Sequence, residues 1–273
     1  MSPNIKGSRL FQLSTNRKLA LGSWRSPRDP SIYTELEMDY APIKEYLDKH
    51  QKKGGNKLKL YHVIAKIVGV CLHQYPELNC GLLRGGMYQR DLVRVFFPTF
   101  IRGARGVSLL GTSIDSPQDL SISEISQQDY LKQQCLKKST DRPFNRVYYL
   151  LKYCPVWMMR FIVASFDFLF YGLNINASLF GLPRDRFGSV MISPVGTLGL
   201  ENAMLALYPF SRCPLMISVG KPYQKIVLKG ESVQSITVFK LGFTGDHRYF
   251  DGYEVARGLK LFKRLCAKPD RLG

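Results

Sequence analysis

The sequence lacks the features of exported and membrane-spanning proteins. Its first residues, MSPNIKGSRLFQLSTNRK, are polar and contain no apolar stretch, so we expect no secretory signal peptide. Its 6 cysteines are scattered and form no CxxC pair, which favours reduced thiols in a cytoplasmic protein over a disulfide framework or a zinc site. The most apolar stretch, residues 143–180, is interrupted by Lys152, Arg160 and Asp167. A transmembrane helix needs ~20 predominantly apolar residues, so this stretch is not expected to span a membrane.

Acidic residues are also scarce. The chain has 21 Asp and Glu against 39 Lys and Arg, a formal net charge of +18. Such a charge attracts polyanions, including nucleic acid, phosphorylated cofactors, acidic carrier proteins and anionic lipid surfaces. Nucleic acid is the weakest of these candidates, because the basic loop KHQKKGGNKLK at residues 49–59 contains no aromatic residue that could stack on a base.

The chain contains no internal repeat and no low-complexity linker. Its 273 residues, 45% of them hydrophobic, are enough to bury a substantial core, and we predict one domain over residues 1–273. Alternation of apolar and polar residues predicts a strand over 32–39, and helical spacing predicts core-facing helices over 60–72 and 253–266. Further predicted elements are a helix after Asp39 with Pro42 in its first turn, strands over 88–100, 106–114, 188–195, 214–220 and 232–243, and a helix over 121–138.

Residues 143–180 are dense in Tyr, Phe, Trp, Met and Leu. One interpretation is a pair of buried or partly buried helices divided near Pro155. The alternative is a hydrophobic platform for a lipid-like substrate or for peripheral contact with a membrane.

The segment TGDHRYFDG at residues 244–252 carries the chemistry expected of a catalytic turn. Neutral imidazole takes up a proton near neutral pH, which makes His247 the candidate general base. Asp251 could hold either the imidazole or the loop, and Gly252 permits a positive φ. The plain alternative is a polar surface loop.

The strand, HxxxDG turn and amphipathic helix together resemble the C-terminal signature of the chloramphenicol acetyltransferase superfamily. The closest resemblance is to the acyltransferase catalytic core of 2-oxo-acid dehydrogenase complexes. It is carried by GSVMISPVGTLGL, PLMISVGK and GDHRYFDGYEVARGLKLFKRL, with weaker agreement in NRKLA and PELN. The resemblance implies an α/β two-layer sandwich in which helices cover a mixed β-sheet, here with residues 143–180 as an aromatic-rich helical insertion.

The same resemblance implies roles for individual residues. His247 would be the general base, and Ser193 would stabilise the oxyanion of the tetrahedral intermediate. Asp251 would be mainly structural, with Arg17 or Lys18 as its cationic partner. The family transfers an acyl group directly from coenzyme A to an acceptor, within a homotrimer whose active sites lie between subunits.

Other features differ from the dehydrogenase-complex cores. We expect no lipoyl or peripheral-subunit-binding segment before the core, and Pro194-Val195 replaces the Asn-Leu usual in the family. We therefore expect a free-standing cytoplasmic acyltransferase without a metal, using coenzyme A or an acidic acyl carrier protein as donor. The acceptor would carry a thiol, hydroxyl or amine, and residues 143–180 would line its path. The competing hypothesis is a catalytically silent trimeric scaffold or binding module of the same fold.

Overall fold

The computed structural model describes residues 7–9, 29–51, 55–103, 106–139, 155–180, 184–230 and 232–272. The strands are β1 (Gly7–Arg9), β2 (Ser31–Asp39), β3 (Cys80–Leu83), β4 (Gly86–Arg90), β5 (Arg94–Gly103), β6 (Gly106–Asp115), β7 (Val190–Ser193), β8 (Leu215–Val219), β9 (Tyr223–Lys229) and β10 (Ser232–Asp246). The α-helices are α1 (Ala41–His50), α2 (Leu60–Gln74), α3 (Ile122–Ser139), α4 (Val156–Asp167) and α5 (Gly252–Ala267).

The main sheet is mixed and has the strand order β2-β10-β8-β7-β5-β6, with β9 paired to the first half of β10. Strand β7 runs parallel to both β5 and β8, whereas the other pairings are antiparallel. A smaller sheet contains β1, β4 and β3. The helices α1, α2, α3 and α5 pack on one face of the main sheet and share its largest core cluster. This is the predicted two-layer arrangement.

Helix α2 forms the centre of the helical layer. Val63, Ile64 and Ile67 are completely buried in it, because its apolar residues recur at the spacing of one helix face. Strand β10 supplies the facing side chains Phe239 and Leu241, which are also completely buried. Side chains share a face about every 3.6 residues in helix α2 and every 2 residues in strand β10. Each element thus has one apolar face, and the two faces pack together.

Most predicted elements are present within one or two residues of their expected bounds, with two differences. The strand predicted over 88–100 is divided into β4 and β5, because residues 91–93 turn the chain from the small sheet into the main one. The short strand β3 and the outer strand β9 were not predicted from the sequence. Helix α3 begins with the predicted capping box, in which Ser121 and Glu124 exchange backbone-to-side-chain hydrogen bonds of 2.7 and 3.2 Å.

The prediction of buried or partly buried helices in residues 143–180 holds for α4 only in its weaker form, because α4 is partly buried. Phe161 is 70% exposed and Phe168, just beyond the helix, is 60% exposed. Only the following turn is buried, where Phe170 and Tyr171 pack on Leu83 in a cluster separate from the main core. The residues before Pro155 in this segment lie outside the described part of the chain.

A loop at residues 200–204 lies on the sheet face opposite the helices. A Cβ at Gly220 would lie 1.8 Å from the carbonyl oxygen of Glu201, and one at Gly242 would lie 2.6 Å from that of Ala203. The close approach of backbone to backbone therefore requires glycine at both positions. The Ser218 hydroxyl also holds this loop against the sheet, because it donates a hydrogen bond to the Ala203 carbonyl at 2.6 Å.

A buried polar network joins α2, α3 and β6. Asp129 accepts hydrogen bonds from the Tyr61 hydroxyl, the Thr112 hydroxyl and the Gln133 amide at 2.7–2.8 Å, and it contacts Nε2 of His62 at 3.3 Å. Burial alone would raise the pKa of Asp129, but hydrogen bonds from His62 and Thr112 outweigh it and lower that pKa. His62 is 2% exposed and therefore belongs to this buried network.

The His62 network makes stability depend on pH. Burial lowers the pKa of His62 despite the opposing influence of Asp129, whereas an unfolded His titrates near ~6.5. Below that pH the unfolded chain binds more protons than the folded chain, so the free energy of unfolding decreases as pH falls from about 7 to about 5. Urea unfolding of the wild type and His62→Gln measures this slope. Gln can still donate to Asp129, and we expect its slope to be shallower; an equal slope in both proteins would contradict the assignment.

Candidate functional site

Strand β10 extends through Asp246 and delivers the TGDHRYFDG segment to the edge of the core. The backbone N–H of Asp246 donates to the Pro214 carbonyl at 2.9 Å, and that of His247 donates to the Pro30 carbonyl at 3.0 Å. The N–H of Tyr249 then closes a tight turn on the Asp246 carbonyl at 3.0 Å. The turn is therefore held from both neighbouring strand ends.

The His247 ring is oriented by its own turn. Its Nδ1 lies 2.9 Å from the carbonyl oxygen of Phe250. A carbonyl oxygen only accepts, so Nδ1 is the nitrogen that carries hydrogen, and in neutral imidazole the lone pair is then on Nε2. The half-buried side chain thus has the tautomer that a general base requires.

One ion pair joins Asp246 and Arg248, the two residues that flank His247, and makes the turn rigid. The Arg248 side chain donates to both carboxylate oxygens of Asp246, at 2.6–3.2 Å, and the Arg248 backbone N–H adds a bond of 2.9 Å. The Asp246 side chain is 6% exposed. Sequence reasoning did not assign this pair; a carboxylate and a guanidinium immediately flanking the histidine are the signal that could have found it.

Asp251 acts as the N-cap of α5. Its carboxylate accepts from the backbone N–H groups of Tyr253 and Glu254 at 3.1 and 3.4 Å, while the Glu254 carboxylate accepts from the Asp251 N–H at 3.1 Å. This reciprocal capping box fixes where the turn ends and the helix begins. Arg17 and Lys18, the predicted partners of Asp251, lie outside the described residues.

The reason given for Gly252 from the sequence is wrong. Among the described residues its φ is not positive, and it occupies the first position of α5. A Cβ built there would meet no atom within 4 Å. Neither the backbone conformation nor packing against the described residues therefore explains glycine at this position.

Ser193 and His247 do not meet within one chain. Ser193 ends β7 and pairs with Ser218 of β8, which pairs with Gly242 of β10. His247 lies five residues beyond Gly242 in the chain, and β10 lies two strand spacings from β7. At ~3.3 Å per residue and ~4.8 Å per strand spacing, the Cα atoms of Ser193 and His247 are therefore about 19 Å apart. Because Ile192 faces the helices, the alternation of side chains places Ser193 on the opposite face of the sheet.

An apolar cavity of about 240 Å³ lies behind the His247 turn, between the sheet and helices α2 and α5. Gly245 and Phe250, on either side of His247 in the chain, are part of its wall. The described residues 155–180 are not part of this wall.

The described ranges of the chain contain no cluster of three or more His, Cys, Asp or Glu residues able to hold a metal ion. In the same ranges, no helix has the length and apolar character needed to cross a membrane.

Replacement of Asp251 by Ala should destabilise the protein by about 1 kcal/mol, because two backbone N–H groups of α5 lose their acceptor. Asp251→Asn keeps an oxygen acceptor and should cost a few tenths of a kcal/mol. Chemical unfolding of both variants measures the difference. Equal stability of the Ala variant and the wild type would show that the cap is not needed.

Comparisons with known proteins agree with this architecture. No family model matches the chain. A curated relative, the dihydrolipoyllysine-residue acetyltransferase component of the pyruvate dehydrogenase complex from Rickettsia bellii, is 28% identical over 82 residues. That match covers 30% of this chain and 19% of the relative, so it spans about a fifth of the relative's length.

Solved structures match over nearly the whole chain. A probable dihydrolipoamide acetyltransferase from Listeria monocytogenes superposes with a TM-score of 0.61 at 13% identity, covering 96% of this chain and 95% of its own. The dihydrolipoamide acetyltransferase of Azotobacter vinelandii gives a TM-score of 0.61 at 16% identity, covering 90% and 84%. A truncated catalytic core of the 2-oxoacid dehydrogenase complex from Thermoplasma acidophilum gives 0.59 at 16% identity, covering 96% and 100%. The expected resemblance is confirmed: the chain has the α/β fold of these acyltransferase catalytic cores.

Proposed function

We propose that the protein is an acyltransferase in which His247 is the general base. It would move an acyl group directly from a coenzyme A thioester, or an acyl carrier protein, to a thiol, hydroxyl or amine acceptor. The observation that carries the proposal is the His247 ring, held by the Phe250 carbonyl in the tautomer with its basic nitrogen at Nε2. The shared fold with acetyltransferase cores supports the same reaction class.

The order of the serine, the histidine and the polar residue after it further supports the proposed acyl transfer. The work on the Azotobacter protein concerned the roles of a serine, a histidine and an asparagine four residues after the histidine in its catalytic mechanism. In this chain a serine also precedes His247, and Asp251 follows four residues later. The carboxylate in place of the amide serves as a helix cap in this structure.

The chemistry requires no covalent enzyme intermediate. Nε2 of His247 takes the proton of the acceptor while the acceptor atom attacks the thioester carbonyl carbon, which gives a tetrahedral oxyanion. Collapse of that intermediate breaks the carbon–sulfur bond, and the imidazolium returns the proton to the leaving thiolate. The Ser193 hydroxyl would donate to the oxyanion, where it acts on charge that appears only as the reaction proceeds.

The separation within one chain requires that Ser193 come from a neighbouring subunit. We propose a homotrimer in which each site combines His247 of one chain with Ser193 of the next. Exposed apolar residues support self-association: Ile226 and Leu228 on β9 and Val233 on β10 are each at least 67% exposed on a ribbon that extends beyond the end of β2. Leu198, on the loop after Ser193, is 58% exposed.

Turnover distinguishes an enzyme from a silent scaffold. Incubation of the wild type with a panel of acyl-coenzyme A donors and thiol acceptors, followed by detection of released coenzyme A, should show acyl transfer. His247→Ala should reduce the rate about 10²–10⁴-fold, and Ser193→Ala about 10²-fold. The exposed residue Lys263 offers a control, since Lys263→Ala should leave the rate unchanged. Equal release by the wild type and His247→Ala would remove His247 from the mechanism.

Complementation tests whether sites are shared between subunits. Co-expression of His247→Ala and Ser193→Ala chains gives mixed trimers, in which random assembly leaves about a quarter of the sites with both groups intact. We expect about a quarter of the wild-type rate to return. Co-expression of His247→Ala with His247→Gln is the matched control and should restore none. No recovery in mixed Ser193 and His247 trimers would contradict a shared site.

A further inference from the structure

The apolar cavity behind the catalytic turn is the most informative feature not used by the proposed reaction. Its deep wall includes Val68 of α2, Ile217 of β8, and Phe262 of α5, which are 0–3% exposed. Its outer edge includes Gly252 and Ala256, both exposed. The cavity therefore leads inward from the first turn of α5, directly after the TGDHRYFDG segment.

Small residues keep this space open. Gly252 and Ala256 bring almost no side-chain volume to the outer edge, and a Cβ at Gly252 would enter open space. This cavity of about 240 Å³ opens to the surface near the candidate base, and its apolar wall suits an apolar ligand group.

The wall selects for an uncharged chain. Among the described residues no charged side chain lines the cavity. Burial raises the pKa of the Cys71 thiol in this wall to about 12, so it remains a neutral, largely apolar group. A carboxylate-bearing acyl group, such as a dicarboxylic half-thioester, would be buried here without a partner, which is strongly unfavourable.

Size limits the length of that chain. A cavity of ~150 Å³ accommodates benzene, so the larger volume here accommodates roughly eight to ten carbons. The cavity lies near the candidate base, because the wall residue Gly245 is two residues from His247 and its Cα lies at most about 7 Å from that of His247. The carbonyl of Phe250, another wall residue, contacts the imidazole itself.

We propose that this cavity holds the hydrocarbon tail of a medium-chain acyl group, about eight carbons long, while its thioester carbonyl lies at His247. This inference rests on the proposed acyl transfer and specifies its donor: a medium-chain acyl thioester, with the bonds made and broken as described above. Each pair of buried methylenes strengthens binding about tenfold.

Binding in the His247→Ala background measures the cavity without turnover. Isothermal titration with octanoyl-coenzyme A and acetyl-coenzyme A should show the octanoyl donor binding at least 30-fold more tightly. Ala256→Trp, added to this background, should remove most of that difference because the indole occupies the outer part of the cavity. Lys263→Trp, on an exposed position of the same helix, should preserve it. Val255→Phe provides a second cavity-filling variant if Ala256→Trp does not fold.

The outcomes separate this inference from the proposed function. Equal affinity for both donors, or a chain-length preference that survives both filling variants, would overturn the cavity assignment. Turnover of acetyl-coenzyme A by the wild type alongside equal donor affinities would leave the proposed reaction standing and reject the tail site. Tight, cavity-dependent octanoyl binding without turnover by the wild type would support the tail site and reject the reaction.

Discussion

The pairing of strand β10 is the constraint on which the rest of the structure depends. This single strand pairs with β2, β8 and β9, and it ends at Asp246, directly before the candidate base. Its buried side chains face helices α2 and α5, and its Gly242 permits the loop at 200–204 to lie against the opposite face. A shift of one residue in its register would exchange those two faces and move His247 away from the Pro30 carbonyl.

The rigidity of the turn after β10 explains how the His247 ring is oriented by its own turn. The Asp246–Arg248 ion pair and the capping box of Asp251 hold the two ends of the turn, and the Phe250 carbonyl orients the ring. Both carboxylates thus fix the backbone, and a carbonyl accepts from Nδ1 of the imidazole. This arrangement suits the proposed base, which would cycle between neutral and protonated forms within one turnover.

Sequence patterns were sufficient to predict a helix or strand where that segment has one buried face. Strand β2, helix α2 and helix α5 were predictable because alternation or helical spacing records that face directly. Strand β9 was not, because Ile226 and Leu228 are exposed and no inward face marks the strand. The cavity could not be predicted from the sequence either, since it arises from the placement of α5 against the sheet and from the small size of Gly252 and Ala256. The joint role proposed for Ser193 and His247 rests on the resemblance, and their separation in one chain shows why spacing in the sequence could not suggest it.

The central claim is that a complete site forms only between subunits. A crystal or cryo-electron microscopy structure of the assembled protein with bound coenzyme A tests it most directly, through the distance from Nε2 of His247 to the Ser193 hydroxyl of the adjacent subunit. We expect roughly 5–8 Å, which leaves room for a tetrahedral centre within hydrogen-bond reach of both groups. An assembly in which the two groups remain more than about 15 Å apart, or a monomer that transfers acyl groups at the full rate, would contradict it.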